Sequence, residues 1–328
     1  MNAVEDCGRD DPARGLESLY DGADPTAMCD ALAGVIDSIA FGETACGAML
    51  EAGAGSVRRM VGDCEAEGCC NDYTDVLKLI GSVRDLTLSV SELGALLTSK
   101  MSLSLDASAC CEGMTYAGRE VLNPAARGAV TDVMRNLSGE VAGVRSLIDS
   151  GAYALGSVCR GKERGCVFAD SGNAEILRMF DEVNGLVGSA AQMEETLAVK
   201  TCVSVNALCA GTAYGEPCRL DRSILENSVE SIALFDGAVC DVMEQGAAAL
   251  NCYDLCAQPT EIVDKLGDLT DAVIRLCGAS ANNLNCSLAA LCGIDSPEGC
   301  ACECAVAIDR LAYPAAPEQA SAYADCPA

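Results

Sequence analysis

The sequence predicts an all-α protein: an elongated bundle of about six long antiparallel helices, tied together by disulfides at the loop ends. Three observations predict this fold. Half of the 328 residues are apolar although only 4% are aromatic, and the nine prolines are widely spaced. Between the prolines, apolar residues recur at intervals of three and four, which is the helical period. Twenty-three cysteines lie mostly near the ends of these apolar segments.

Six apolar ladders follow one another along the chain. The first is weak, with Leu32, Val35 and Ile39 at helical spacing. The second runs from Val76 to Leu97 in an unbroken a/d register. The other four occupy segments 130–147, 176–197, 225–242 and 262–276. We therefore expect a polar N-terminal segment at 1–24, a six-helix region at 25–292, formed as one bundle or as two three-helix bundles, and a cysteine-rich C-terminal clasp and tail at 293–328.

Helix starts are marked by capping residues. Asp24 and Asn123 each precede a proline, which places an N-cap before proline at the first helical position. Ser223 with Glu226 matches a capping box, and Thr260 follows Pro259. These positions predict the starts of the first, third, fifth and sixth helices.

The cysteines that close the apolar segments are spaced 46, 49, 50, 47 and 36 residues apart: Cys64, Cys110, Cys159, Cys209, Cys256 and Cys292. This spacing predicts a degenerate repeat of about 47 residues, each with one long helix and one loop. Glycine near the middle of most segments leaves an alternative open, in which each repeat is a helical hairpin and the protein is a solenoid.

The charge and the missing residue types exclude several functions. The net charge is −28, which disfavours nucleic acid and anionic lipid as partners and allows only diffuse binding of divalent cations. Without histidine there is no Ser–His–Asp or Cys–His arrangement, and no nucleotide-binding motif is present. The acidic residues are expected to lie on solvated helix faces. We therefore predict no enzyme activity, no cofactor and no metal centre.

The cysteine content predicts disulfides and an oxidising compartment, extracellular or luminal. We expect a secreted protein whose leader peptide is not present in this chain, with no transmembrane segment, and with Asn136 and Asn285 as candidate glycan acceptors. If consecutive helices alternate in direction, the disulfide candidates at the helix ends fall into two groups, one at each end of the bundle. One end would hold Cys64, Cys69, Cys70, Cys159, Cys166, Cys252 and Cys256, and the other Cys29, Cys110, Cys111, Cys209, Cys218, Cys292, Cys300, Cys302 and Cys304.

Two groups of cysteines could have more than one role, as metal ligands, disulfide partners or buried thiols. The C-x-C-x-C of Cys300, Cys302 and Cys304 could suggest a metal site, but no C-x-x-C occurs in the chain. We therefore expect these three to clasp separate helix ends. Cys46 and Cys240 lie within apolar segments and are expected to be either buried thiols or disulfide-bonded.

Two functions fit these features. The first is a non-enzymatic structural or scaffold protein that acts through contacts with other protein subunits, self-assembly included, in a larger extracellular assembly. The second is a carrier that holds an apolar ligand, such as a lipid or sterol, between helices with small core side chains.

Overall fold

The fold is described from a computed structural model, for residues 25–66, 73–112, 115–116, 119–120, 122–163, 172–209, 222–252 and 259–292. Six long helices account for almost all of them: α1 (Pro25–Ala66), α2 (Thr74–Glu112), α3 (Pro124–Glu163), α4 (Gly172–Cys209), α5 (Arg222–Cys252) and α6 (Pro259–Cys292). Between α2 and α3, strands β1 (Thr115–Tyr116) and β2 (Arg119–Glu120) form an antiparallel pair. The predicted all-α bundle of six long helices is confirmed.

Each helix is continuous through its glycines. The helices contain 31 to 42 residues, which corresponds to about 45–65 Å at 1.5 Å per residue. Gly47, Gly94 and Gly143 lie inside helices, with no turn at any of them. The helical-hairpin alternative is therefore wrong, and these three glycines lie at close helix contacts instead.

The predicted helix starts agree with the observed ones to within two residues. Asn123 Oδ1 accepts a hydrogen bond of 2.7 Å from the backbone N–H of Ala126, the N-cap geometry expected before Pro124. α1 and α6 begin at Pro25 and Pro259, and α5 begins one residue before Ser223. The relation between the segments as a sequence repeat stays a prediction.

The helices form two layers of three. α1, α3 and α5 lie side by side in one layer and α2, α4 and α6 in the other, while α1 packs on α2, α3 on α4 and α5 on α6 across the layers. Consecutive helices run antiparallel: Gly42 of α1 packs on Leu97, and Gly53 packs on Val83. Neighbours within a layer are therefore parallel. α1 and α2 form one edge of the array, and α5 and α6 form the other.

A single cluster of buried residues runs through all six helices and consists mainly of Ala, Val, Leu and Ile. In α2 the buried face departs from the predicted a/d ladder: Leu93 is 41% exposed, while Thr87, Ser91 and Thr98 are buried. The reason is geometric, since a straight helix with 3.6 residues per turn drifts by about 20° per heptad from a 3.5-residue pattern. Small polar residues therefore take over the buried face along α2.

The disulfide between Cys202 and Cys286 joins α4 to α6. Neither cysteine was among the predicted candidates, because both lie within helices, about two turns before the helix ends. Cys64 and Cys209 are also disulfide-bonded. Cys159 and Cys252 lie near the ends of α3 and α5.

The other disulfide candidates lie outside the described side chains: Cys69, Cys70, Cys110, Cys111, Cys166, Cys218, Cys256, Cys292, Cys300, Cys302 and Cys304. Segments 1–24 and 293–328 also lie outside the described residues. The C-terminal clasp and the domain limits therefore stay predictions.

Candidate functional site

The interior of the bundle contains a group of ionisable side chains that we call the ionic cluster: Glu43 and Cys46 of α1, Glu140 of α3 and Lys200 of α4. Each of these four residues has 0% of its surface exposed. Charged side chains are almost never fully buried unless they are paired. Their geometry therefore decides what the cluster can do.

Glycines bring the two carboxyl groups of the cluster together. A Cβ atom added at Gly47 would lie 3.1 Å from the carbonyl oxygen of Gly139, and one added at Gly143 would lie 3.0 Å from Leu50 Cβ. The backbones of α1 and α3 are therefore in direct contact at this level. Glu43 is one turn before Gly47, and Glu140 directly follows Gly139, so both carboxyls lie at the contact.

Lys200 reaches the carboxyl groups from α4, in the opposite layer. Its Nζ lies 2.5 Å from Glu43 Oε2 and 3.7 Å from Glu140 Oε2. Gly94 of α2 leaves space beside the ammonium group, since a Cβ atom there would be 3.5 Å from Nζ. Four helices thus enclose one lysine and two glutamates.

The surroundings of Glu140 favour its protonated form. As carboxylates, both oxygens of Glu140 and Oε1 of Glu43 would have no hydrogen-bond partner. Burial, followed by the hydrogen bond with Glu43, raises the pKa of Glu140 well above its ordinary value. A protonated Glu140 supplies the missing donor, and the cluster then holds one cation, one anion and one neutral acid.

The thiol of Cys46 does not act as a nucleophile in this cluster. Burial raises its pKa to about 12, and the negative charge of the glutamate pair Glu140 and Glu43 acts in the same direction. Because the thiolate is the reactive form of cysteine, Cys46 is a packing residue at neutral pH. Cys240, also expected to be a buried thiol or disulfide-bonded, is an exposed free thiol.

A second buried acid lies between α4 and α6. Glu194 is fully buried, and its Oε1 accepts a hydrogen bond of 3.0 Å from Asn283 Nδ2. Glu194 Oε2 and Asn283 Oδ1 have no partner. Burial raises the pKa of Glu194 to about 7. A proton on Glu194 allows the acid and the amide to pair through two hydrogen bonds, which satisfies both free oxygens.

The surface between α3 and α5 has an open groove of about 560 Å³. Its charged side chains include Arg145, Asp149 and Arg160. Arg145 Nε lies 3.8 Å from Asp149 Oδ2, and Arg160 Nε lies 2.8 Å from Oε1 of Glu65 on α1. The groove is therefore polar and its charges are largely matched within the protein.

The sequence predicts that the acidic residues lie on solvated helix faces, and this prediction is wrong for Glu43, Glu140 and Glu194, which are fully buried. The burial of Glu140 could have been predicted, because Glu140 occupies the heptad core position between Leu137 and Val144, where an apolar residue would be expected. A charged residue in a core position predicts a buried partner, but the sequence does not identify that partner as Lys200.

The structure places the two glycan candidates differently. Asn136 Nδ2, the atom that would carry a glycan, donates a hydrogen bond of 2.8 Å to the carbonyl oxygen of Ala40, between α3 and α1. A glycan at Asn136 would require this helix contact to break. Asn285 is exposed on α6 and stays a candidate. In the described part of the chain, no group of three or more His, Cys, Asp or Glu side chains is arranged to hold a metal ion.

Comparison of the chain with protein-family models, with curated proteins and with solved structures gives no match. Within the described helices, α1 is long and apolar enough to cross a membrane by length and composition. Its most apolar 18-residue stretch has a mean hydropathy of 1.2, and 39% of that stretch is buried inside the protein. A core helix near the N-terminus meets the same criterion, so this carries no membrane assignment.

Proposed function

We propose that the protein is a non-enzymatic structural protein of the extracellular space or another oxidising compartment, and that copies of the chain associate into a larger assembly. The observation that carries this proposal is a row of exposed large apolar side chains at the edge formed by α1 and α2. We call it the apolar edge: Phe41, Met49, Leu93, Leu96 and Leu103, which are 71%, 37%, 41%, 68% and 70% exposed.

The members of the apolar edge lie close together along the two helices. Because Gly42 packs on Leu97, Phe41 and Leu96 are at the same height on adjacent antiparallel helices. Leu93 and Leu103 lie one and two turns from Leu96, on the same helix. Clustered exposed apolar side chains are typical of interaction surfaces, whereas single exposed ones are common.

The opposite edge of the array supports association between copies. On α6, Val263 and Ile274 are 56% and 57% exposed. Contact between the apolar edge of one copy and the α5–α6 edge of the next would continue both helix layers. Such a head-to-tail contact uses two different surfaces, so it can repeat without closing.

Two further features agree with this proposal. Disulfides at Cys64, Cys202 and Cys209 suit an oxidising compartment. The charged side chains of the ionic cluster are fully buried, which suits a role in packing rather than in turnover of a substrate. The carrier hypothesis draws no support from the surface groove, since a lipid or sterol requires a mainly apolar lining.

Sedimentation velocity over a range of concentrations tests the proposal. We expect the wild-type protein to associate as its concentration rises, and the double variant Phe41→Ser, Leu96→Ser to remain monomeric with unchanged helicity. Leu234→Ser is the matched control, because Leu234 is 50% exposed but lines the groove between α3 and α5. A wild-type protein that stays monomeric at every concentration, or a double variant that associates as the wild type does, would contradict the proposal.

A further inference from the structure

We propose that Lys200 and Glu43 condense to an intramolecular isopeptide bond that joins α4 to α1, and that Glu140 transfers the protons this reaction requires. The three side chains meet in the interior of the four-helix block formed by α1, α2, α3 and α4. The inference is independent of the proposed assembly, since it concerns the interior of one chain.

The reacting groups are already in contact. Lys200 Nζ lies 2.5 Å from Glu43 Oε2, and the carboxyl carbon that would be attacked is one bond further. Holding two reactants in contact at a fixed geometry can be equivalent to an effective concentration of about 10⁵–10⁸ M of one reactant around the other. Both side chains extend from continuous helices and are fully buried, so neither group can turn away to solvent.

The condensation balances without any other reagent. A proton passes from the Lys200 ammonium to the Glu43 carboxylate along their hydrogen bond, which leaves a neutral amine and a neutral acid. The Nζ lone pair attacks Glu43 Cδ and a C–N bond forms. Glu140 gives its proton to the departing oxygen and takes one from Nζ, so that a C–O bond breaks and one molecule of water leaves. Glu140 ends in its starting protonation state.

The surroundings favour this product over the ion pair. Burying an ammonium and a carboxylate carries a desolvation cost that their attraction offsets only with good geometry and further hydrogen bonds. Here Glu43 Oε1 depends on a proton carried by Glu140 for its hydrogen bond. An amide carries no net charge, and its formation removes both buried charges. Exclusion of bulk water also removes the reactant that would reverse the step.

The carboxyl of Glu140 is suited to the proton transfer by its position. Its Oε2 is 3.7 Å from Lys200 Nζ, and its carboxyl group faces that of Glu43. It therefore lies beside both the nitrogen that loses protons and the oxygen that gains them. The resulting bond would connect α1 to α4 across the diagonal of the four-helix block, a connection that the α4–α6 disulfide does not make.

The intact mass of the reduced, unfolded full-length chain tests the proposal. Reduction returns the hydrogens lost in disulfides, so we expect the wild-type mass to be lower than the sequence mass by one water. Peptide mapping should show a branched peptide that contains Lys200 and Glu43. A wild-type chain with the full sequence mass, or a water loss that maps to other residues, would overturn the proposal.

Variants test the role of each residue, with helicity and monodispersity checked in every case. Lys200→Met should keep the full mass, while Lys100→Met, at an exposed position of α2, should lose one water as the wild type does. Glu140→Gln retains side-chain size and should leave the chain unlinked. Glu43→Gln should give the same linked product as the wild type, now with loss of ammonia. A Glu140→Gln chain that is linked as fully as the wild type would overturn the role of Glu140.

Discussion

Replacement of Glu194 by glutamine should abolish one specific pH dependence of stability. The pKa of Glu194 is about 7 in the folded protein against 4.5 for an ordinary glutamate, because burial disfavours the carboxylate. Between these two pH values the unfolded chain loses the proton and the native chain keeps it. Stability therefore falls as the pH rises, by about 1.4 kcal/mol per pH unit.

The size of this change in stability follows from the difference between the folded and the ordinary pKa of Glu194. The favourable contribution of Glu194 is fully present below about pH 4.5 and is lost by about pH 7, a total of roughly 3 kcal/mol. Glutamine resembles the protonated acid: it offers an oxygen to Asn283 Nδ2 and an N–H to the free Asn283 Oδ1. The Glu194→Gln variant should therefore match the wild type near pH 4.5 and exceed its stability by about 3 kcal/mol at pH 8.

Urea unfolding of the oxidised protein, followed by circular dichroism at a series of pH values, measures this difference. Other titrating groups, Glu140 included, contribute equally to both chains and cancel in the comparison. Glu195→Gln is the matched control: Glu195 is the next residue on α4 and is exposed, so its effect should stay within about 0.5 kcal/mol. A stability difference between Glu194→Gln and the wild type that does not change with pH would refute the reasoning.

Two further predictions concern the packing around the ionic cluster. Gly47→Ala should lower the free energy of unfolding by roughly 1–3 kcal/mol, because the added Cβ meets the backbone of α3; Gly55→Ala, with nothing within 4 Å of the added Cβ, should raise it by up to about 1 kcal/mol. Equal effects at both glycines in chemical unfolding would argue against the close approach of α1 and α3. Cys46, with a thiol pKa of about 12, should resist iodoacetamide in the native protein while exposed Cys277 is labelled. Peptide mass spectrometry measures both sites, and early labelling of Cys46 would contradict its burial.

The helices themselves could be predicted from the sequence because their signals are local. Apolar spacing reports which residues are buried on one helix, and Asn123 before Pro124 reports where a helix begins. The mid-helix glycines were ambiguous, since Gly47 and Gly143 have the same local pattern whether they break a helix or allow close packing. Only the neighbouring helix decides between these outcomes.

The candidate site could not be predicted, because its chemistry depends on contacts between distant residues. The sequence separation between Glu43 and Lys200 is 157 residues, and Glu140 lies on a third helix. Each of the three looks locally like one more charged residue of an acidic protein. The missing information was the order of the helices in the array, which sets which heptad positions face each other.

The buried polar pairs help to fix that order and set the height of α4 relative to α1 and α6. Aliphatic contacts between Ala, Val and Leu resemble one another, so they discriminate less sharply than polar pairs between arrangements shifted by a turn. Lys200 and Glu194 prevent such sliding of α4, because each has its partner on a different neighbour: Glu43 on α1 and Asn283 on α6. A shift by one turn would leave these groups buried without partners, at about 1–3 kcal/mol for each polar group and more for a charged one. The same side chains that reduce the hydrophobic content of the core therefore favour one arrangement of α4 with its neighbours α1, α3 and α6.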